Sequence, residues 1–143
     1  MHPDVPDSGR HKFPRKEKLK HRKSIQFLFD KGMSLVIHPL RLVYYTQPAI
    51  PQQDIPKFSV SVSKKNFGKA VDRNQLKRRI REAYRLNKGP LIQFCKEKGT
   101  SLHMMWIFTG NELKEYADIL DILQRILQKL HRKISTSSSS SMD

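Results

Sequence analysis

Cysteine is almost absent from the sequence: Cys95 stands alone in 143 residues. No disulfide can form within the chain and no Cys-rich zinc site is possible, so Cys95 reads as a packing residue in a reducing compartment. The histidines (His2, His11, His21, His38, His103 and His131) are scattered, with no pair at helical metal-ligand spacing, and no metal centre is expected from them. Long apolar runs are missing too. Nothing approaches the ~20 residues of a membrane-spanning helix, and the N-terminus has no apolar region suited to a signal peptide. A soluble, cytoplasmic protein with no membrane partner is expected. Acidic residues are scarce: 13 Asp and Glu face 28 Lys and Arg, a formal charge of +15. A field of that sign and size on a small protein favours a polyanion as partner. The length suits one domain, and a hydrophobic content of 37% predicts a single small core.

The informative stretch runs from Phe58 to Arg85. Phe58, Val60 and Val62 alternate with Ser59, Ser61 and Ser63, the period of a strand with one face on a core. The serine face is small and polar, open to close approach. After Lys64, Lys65, Asn66, Phe67 and Gly68 the period becomes helical from about Ala70: Leu76, Ile80, Ala83 and Tyr84 make one apolar stripe. At about 100° per residue, Arg73, Asn74, Lys77, Arg78, Arg81 and Arg85 fan over the adjoining arc. Gln75, Arg79 and Glu82 fall roughly opposite, facing solvent. No carboxylate offsets the cations on that arc, so the isolated helix carries self-repulsion that a phosphate backbone would relieve. The bland alternative is a solvated charged face; the one-sided sign and the overall charge argue against it.

Elsewhere, residues 1–12 read as a flexible arm and 13–134 as the domain. The Ser-rich segment 135–143 reads as a disordered tail. The basic run Arg15 to Lys23 suits either a solvated lead-in or phosphate contacts. Ser24 is a candidate N-cap for a short helix of Ile25 to Lys31 closed by Gly32, with Ile25, Leu28 and Phe29 on its packing face. Met33 to Ile37 and Leu40 to Thr46 read as strands broken at His38-Pro39. In the second, Leu40, Leu42 and Tyr44 face the core, while Arg41, Val43 and Tyr45 join the serine face. That face suits single-stranded nucleic acid, with tyrosine stacking on bases, although a tyrosine there is more often simply packed. Gln47 to Pro56 is a predicted loop, and Leu91 to Lys98 either a short helix or a loop. Leu102 to Thr109 reads as an interior strand buried on both faces. A last helix is expected after Asn111 as N-cap, with acids at Glu112, Glu115, Asp118 and Asp121. Its stripe would run through Leu113, Tyr116, Ala117, Leu120, Leu123, Leu127 and Leu130.

Lys64-Lys65, Gly68-Lys69-Ala70-Val71, Arg73-Asn74, Lys77-Arg78 and Arg81-Glu82, after a strand, closely resemble the signature of the bacterial ribonuclease P protein subunit. Leu19, Phe29 and Gly32 also match that family in spacing, whereas Ile25 occupies its first aromatic position. The resemblance covers roughly Phe13 to Leu130. It implies an α+β fold, a single compact α-β-β-β-α-β-α sandwich of ribosomal-protein type with a left-handed βαβ crossover. It also implies a role: the protein, monomeric within the ribonucleoprotein, would bind the catalytic RNA and the 5′ leader of precursor tRNA and assist endonucleolytic removal of the leader. The RNA would hold the active site and its Mg2+, so no catalytic residue and no tightly bound cofactor or metal is expected in the protein. Carried onto matching positions, Lys64, Lys65, Lys69, Arg73, Asn74, Lys77, Arg78, Arg81 and Arg85 would contact the catalytic RNA. Phe29, Val43, Tyr45 and Ser61 would line the leader cleft. The residues alone leave open a ribosomal or assembly-type RNA-binding protein and a duplex-DNA binder. An autonomous nuclease is disfavoured, since Asp72 and Glu82 fall away from the cationic arc and offer no converging pair.

Overall fold

The computed structural model of the chain describes residue 26, residues 30–48 and residues 56–141, with 136–141 as backbone alone. The predicted arm, the basic run Arg15 to Lys23, and Leu19, Ser24, Ile25, Leu28 and Phe29 lie outside the described residues, as does most of the loop before β3. Gln26, Asp30 and Lys31 are helical, within the span predicted for the first helix.

The elements that follow are β1 (Met33–Ile37), β2 (Leu40–Pro48), β3 (Lys57–Val62), α1 (Ala70–Asn87), α2 (Gly89–Lys98), β4 (Thr100–Phe108) and α3 (Tyr116–Ser141). The strands form one mixed sheet in the order β1-β2-β4-β3. β1 pairs antiparallel with β2, and β2 with β4, while β3 runs parallel to β4. The architecture is α+β, and the predicted strand–basic helix–strand unit is present with both strands parallel.

The alternation of side chains sets the two faces of the sheet. Tyr44 pairs with Met104, which pairs with Phe58; Leu42 pairs with Trp106, which pairs with Val60; Leu40 pairs with Phe108, which pairs with Val62. These rows form the floor of the main core, and α1 and α3 cover it. Trp106 is fully buried at its centre. Tyr84 of α1 lies over it at a ring separation of 6.2 Å and meets Phe58 at 4.7 Å. The stripe predicted for the basic helix, Leu76, Ile80, Ala83 and Tyr84, is the set that α1 buries.

The structure decides one open alternative and changes the expectation for the last helix. Leu91 to Lys98, left between helix and loop, belongs to α2: Leu91, Phe94 and Cys95 bury one face, Pro90 sits in the first turn, and Gly99 ends the helix in the left-handed conformation at φ 62°. The last helix begins at Tyr116, with no turn built on Asn111. The Glu115 carbonyl accepts from the Asp118 and Ile119 amides, both at 3.1 Å, so Glu112 and Glu115 precede the helix and only Asp118 and Asp121 ride on it. Its buried stripe is Ile119, Leu123, Ile126, Leu130 and Ile134, with Tyr116, Leu120 and Leu127 flanking it and Leu113 exposed. With isoleucines and leucines on neighbouring stripes, apolarity alone could not set the phase. The helix also continues to Ser141, so the serine run has helical backbone where a disordered tail is expected. Propagating an already nucleated helix needs one residue fixed per new hydrogen bond, which even a modest helix former can sustain.

The turn at His38-Pro39 docks on the end of β4. The Pro39 carbonyl accepts from the Thr109 amide at 2.7 Å and the Thr109 hydroxyl at 3.1 Å. The Gly110 carbonyl accepts from Asn66 Nδ2 at 3.1 Å. A Cβ on Gly110 would lie 2.9 Å from Pro39 Cβ and 3.1 Å from Phe108 Cε2, so the close approach requires glycine. Gly110→Ala is expected to lower stability by about 1–3 kcal/mol through overpacking, read as a lower urea midpoint with an unchanged m-value.

Candidate nucleic-acid interface

The segment between β3 and α1 is held from several sides. The Lys65 amide donates to Ser63 Oγ at 3.0 Å, and the Phe67 amide to the Ser63 carbonyl at 3.1 Å. Phe67 is buried, with its ring 5.8 Å from that of Phe108. Arg73, one turn into α1, donates Nη1 to the carbonyls of Phe67 at 2.8 Å and Gly68 at 3.0 Å. This ties helix, turn and strand end together. Two carbonyls turned toward a charged donor are satisfied at once, which suits the fixed fork of a guanidinium.

On this frame the predicted cations gather. Lys64 and Lys65 are exposed in the turn, and Lys69 is the N-cap residue of α1. Asn74 and Arg78 are exposed along the crest of α1, opposite its buried stripe, and Arg81 is exposed along its flank. Lys77, on the same flank, is half-buried. Its ammonium is held below the ordinary lysine value first by burial, then by repulsion from Arg81, Arg73 and Lys64. The flank is thus strained by its own charge, as the sequence pattern predicts. Close approach of a phosphate would reverse that cost.

Two arginines differ from expectation. Arg85 forms a two-pronged pair with Glu82, at 2.6 Å from Nη2 and 3.1 Å from Nε. The pair raises the Arg85 pKa, chiefly through the Glu82 hydrogen bond. Glu82 therefore does not simply face solvent. As an i,i+3 neighbour it reaches round the helix and neutralises the last member of the arc. Arg79, expected to be solvated, donates Nη1 to the Lys114 carbonyl and fastens α1 to the segment leading into α3. Helical position places a charge on an arc but does not say which distant carbonyl it will meet.

The second face of the sheet assembles the other predicted group. The pairings align Arg41 with Ile107 and Ser61, Val43 with Met105 and Ser59, and Tyr45 with His103 and Lys57. Tyr45 and Ser61 are half-buried there. Val43 differs from a surface position: it is only 2% exposed and forms a small apolar cluster with Met105, against which Tyr45 and Ile107 pack. Two long apolar chains from β4 close over it, so it lies in the floor of this face. Met105, Ile107, His103 and Lys57 were not among the predicted cleft residues. The alternation of Leu102 to Thr109 held the signal, but strand order was needed to place them beside Ser61. Phe29 lies outside the described residues.

Among the described residues, no three His, Cys, Asp or Glu side chains gather closely enough to hold a metal ion. No helix among them is long and apolar enough to cross a membrane. A cavity of about 430 Å3 opens at the C-terminal end of α1, between Asn87, Pro90 and Leu91 on one side and Gln124, Leu127, Gln128 and His131 of α3 on the other. It lies away from the cationic turn.

A family model described as Ribonuclease P matches residues 13–131. The chain belongs to the ribonuclease P protein family. It is 32% identical over 125 residues to a ribonuclease P protein component of Porphyromonas gingivalis, covering 85% of this chain and 88% of that one. It is 37% identical over 123 residues to that of Petrotoga mobilis, covering 82% and 94%. The fold is similar to the ribonuclease P protein of Staphylococcus aureus, with TM-score 0.63 at 23% identity over 80% of this chain and 94% of that one. The Thermotoga maritima protein gives TM-score 0.60 at 24% identity over 79% and 96%. At those identities the structures speak for the fold, while the family model and the curated relatives establish membership. As a ribonuclease P protein, the chain is a component of a ribonucleoprotein endoribonuclease.

Two stability measurements check the assigned roles. Arg79→Ala is expected to lower stability by about 1–3 kcal/mol, the range for a hydrogen bond from a charged donor, while Arg78→Ala leaves it unchanged. For Lys77 the unfolded chain holds the proton more tightly than the folded one, so the charged lysine opposes folding below its lowered pKa. Lys77→Met is expected to raise stability at neutral pH by no more than about 1 kcal/mol, discounted for solvent screening. The gain should begin to shrink as rising pH passes the lowered pKa and be gone only above the ordinary lysine value, where the side chain is neutral in the folded and the unfolded chain alike.

Proposed function

We propose that this ribonuclease P protein binds the catalytic RNA through the β3–α1 turn and the crest and flank of α1, and holds the 5′ leader of precursor tRNA against the second face of the sheet. The catalytic RNA and its Mg2+ carry out the phosphodiester hydrolysis, and the protein supplies no catalytic residue and no bound metal. The observation that carries the reading is the gathering of Lys64, Arg73, Lys77 and Arg81 along one flank at the start of α1, where their mutual repulsion adds to burial in holding the Lys77 pKa down. No carboxylate contributes to that shift.

The physical account follows from the charges. Bringing catalytic RNA and precursor tRNA together sets two polyanions side by side, and the repulsion is ordinarily offset by divalent ions. Cations fixed on a folded frame neutralise the same phosphates and release the condensed counterions, which favours association and lowers the magnesium demand. Lys64, Lys65, Lys69, Asn74, Lys77, Arg78 and Arg81 contact RNA in this reading. Arg73 mainly shapes the turn that presents them, and Arg85, shared with Glu82, contributes less. On the other face, Tyr45 offers a ring for base stacking and Ser61 a small polar neighbour that lets a strand lie close. The protein acts as a monomer within the cytoplasmic ribonucleoprotein, and the left-handed sense of the β3–α1–β4 crossover is part of the same family reading.

The test is precursor-tRNA cleavage at low Mg2+, with the protein alone, the catalytic RNA alone, and both. Cleavage that appears only with both is expected. No stimulation by the protein would favour a general RNA-binding role, and cleavage by the protein alone would overturn the assignment of chemistry to the RNA. In the same system Arg78→Ala should weaken binding to the catalytic RNA by up to about tenfold and reduce the salt dependence by roughly one charge. Arg79→Ala should leave both unchanged once stability is accounted for.

A further inference from the structure

Two positions at the start of α1 are bare in a way the fold does not explain. Gly68 is exposed, and a Cβ placed on it would meet no atom within 4 Å. Its φ lies outside the left-handed region, where Gly99 alone stands among the described glycines. Nothing inside the protein therefore calls for glycine at this position. It is also no loose hinge. Its carbonyl is held by Arg73 at 3.0 Å, its neighbour Phe67 is buried, and the turn is pinned again where Asn66 donates to the Gly110 carbonyl.

One turn on, Val71 is 71% exposed, the most exposed of the large apolar side chains among the described residues. A single exposed apolar residue needs no explanation by itself. Val71 is different in its setting. It stands in the first turn of α1 on the crest shared with Asn74 and Arg78, with Lys65 and Lys69 close in the chain, whereas Leu86, the other exposed large apolar residue of α1, stands at the far end of the helix. A β-branched side chain is also a poor choice for an exposed helix position on propensity grounds.

We infer that Gly68 and Val71 form a rigid, bare shelf against which the sugar face of the partner RNA packs, supplying a part of the binding free energy that salt does not screen. The inference rests on the reading that RNA binds this end of α1, and it adds shape to what was so far only charge. The accessible surface of an A-form helix is a wide, shallow minor groove lined with ribose. A surface that is to approach it closely needs a stretch of backbone without a projecting side chain. The glycine provides that stretch, and the valine methyls can lie on ribose C–H groups. The cations on either side then reach phosphates without holding the protein at arm's length.

The test uses the full chain and the catalytic RNA, with affinity measured across a range of salt concentrations and melting temperature followed for each variant. Gly68→Ala and Gly68→Leu are expected to weaken binding progressively, while the melting temperature stays level or rises for Gly68→Ala, since alanine restricts the unfolded chain. Val71→Ala and Val71→Thr should lower affinity about three- to tenfold, the scale of one or two methyl groups taken from an apolar contact. The slope of affinity against salt should not change in these variants, in contrast to Arg78→Ala. Gly89→Ala, equally unhindered but at the far end of α1, serves as control and should bind as the wild type. If Gly68 and Val71 variants bind as the wild type while Arg78→Ala does not, the shelf is wrong and the cationic interface stands. If neither the wild type nor Arg78→Ala shows specific binding, the interface reading itself fails and takes the shelf with it.

Discussion

The parallel pairing of β3 with β4 is the constraint on which the rest depends. Two parallel neighbours cannot be joined by a tight turn, so the chain leaving Val62 must cross the sheet before it re-enters at Thr100. α1 and α2 fill that crossing. Because Phe58, Trp106 and Phe108 point to one side, α1 must lay its apolar stripe on that side, and Tyr84 locks it there against Phe58 and Trp106. The opposite surface of the helix is left to water, together with the charges on it. The position of the cationic arc is thus a consequence of core packing.

The arginines near this helix serve two ends. Arg73, Arg79 and Arg85 are each committed within the protein, to the Phe67 and Gly68 carbonyls, the Lys114 carbonyl and Glu82 respectively. A planar, permanently charged fork with several donors suits such fastening work. Lys77, by contrast, is held half-buried among other cations, and burial first and their repulsion second lower its pKa. A fold that tolerates such repulsion on one flank, while spending arginine hydrogen bonds to make that flank rigid, is prepared for a polyanion before one arrives. Rigidity matters because a loop that had to be ordered on binding would give back part of the gain as entropy.

The sheet divides the molecule chemically. One face carries the main core, with α1 and α3 packed on it. The other carries Arg41, Tyr45, Ser59, Ser61, Lys57 and His103 around a small apolar floor of Val43 and Met105. Since β3 contributes to both faces and leads directly into the cationic turn, the two surfaces share an edge. A ligand on one is therefore near a ligand on the other, as the proposed joint contact with an RNA partner and its substrate requires.

Much of this was legible in the residues alone. The alternation in β3, the stripe in α1 and the run of motif residues from Lys64 to Glu82 are local patterns, written at periods of two and 3.6. Such periods survive without knowledge of the partner element. Family membership followed from the same stretch. What the sequence could not decide were contacts between segments far apart in the chain. Arg79 looked solvated because its carbonyl partner lies in the segment before α3, and Val43 looked like a surface residue because Met105 reaches it only through the order β1-β2-β4-β3. The stripe expected through Leu120 and Leu127 shifted to Ile119 and Ile126 because leucine and isoleucine are equally apolar, and only the packed sheet chooses between them. The sequence by itself determined most of the strands and the basic helix α1, though not α2 or the bounds of α3, and where positive charge accumulates, since these depend on neighbours a few residues away. The tertiary structure alone decided which charges are spent internally and which are left for a partner, because that depends on which distant backbone groups the fold brings within hydrogen-bonding reach.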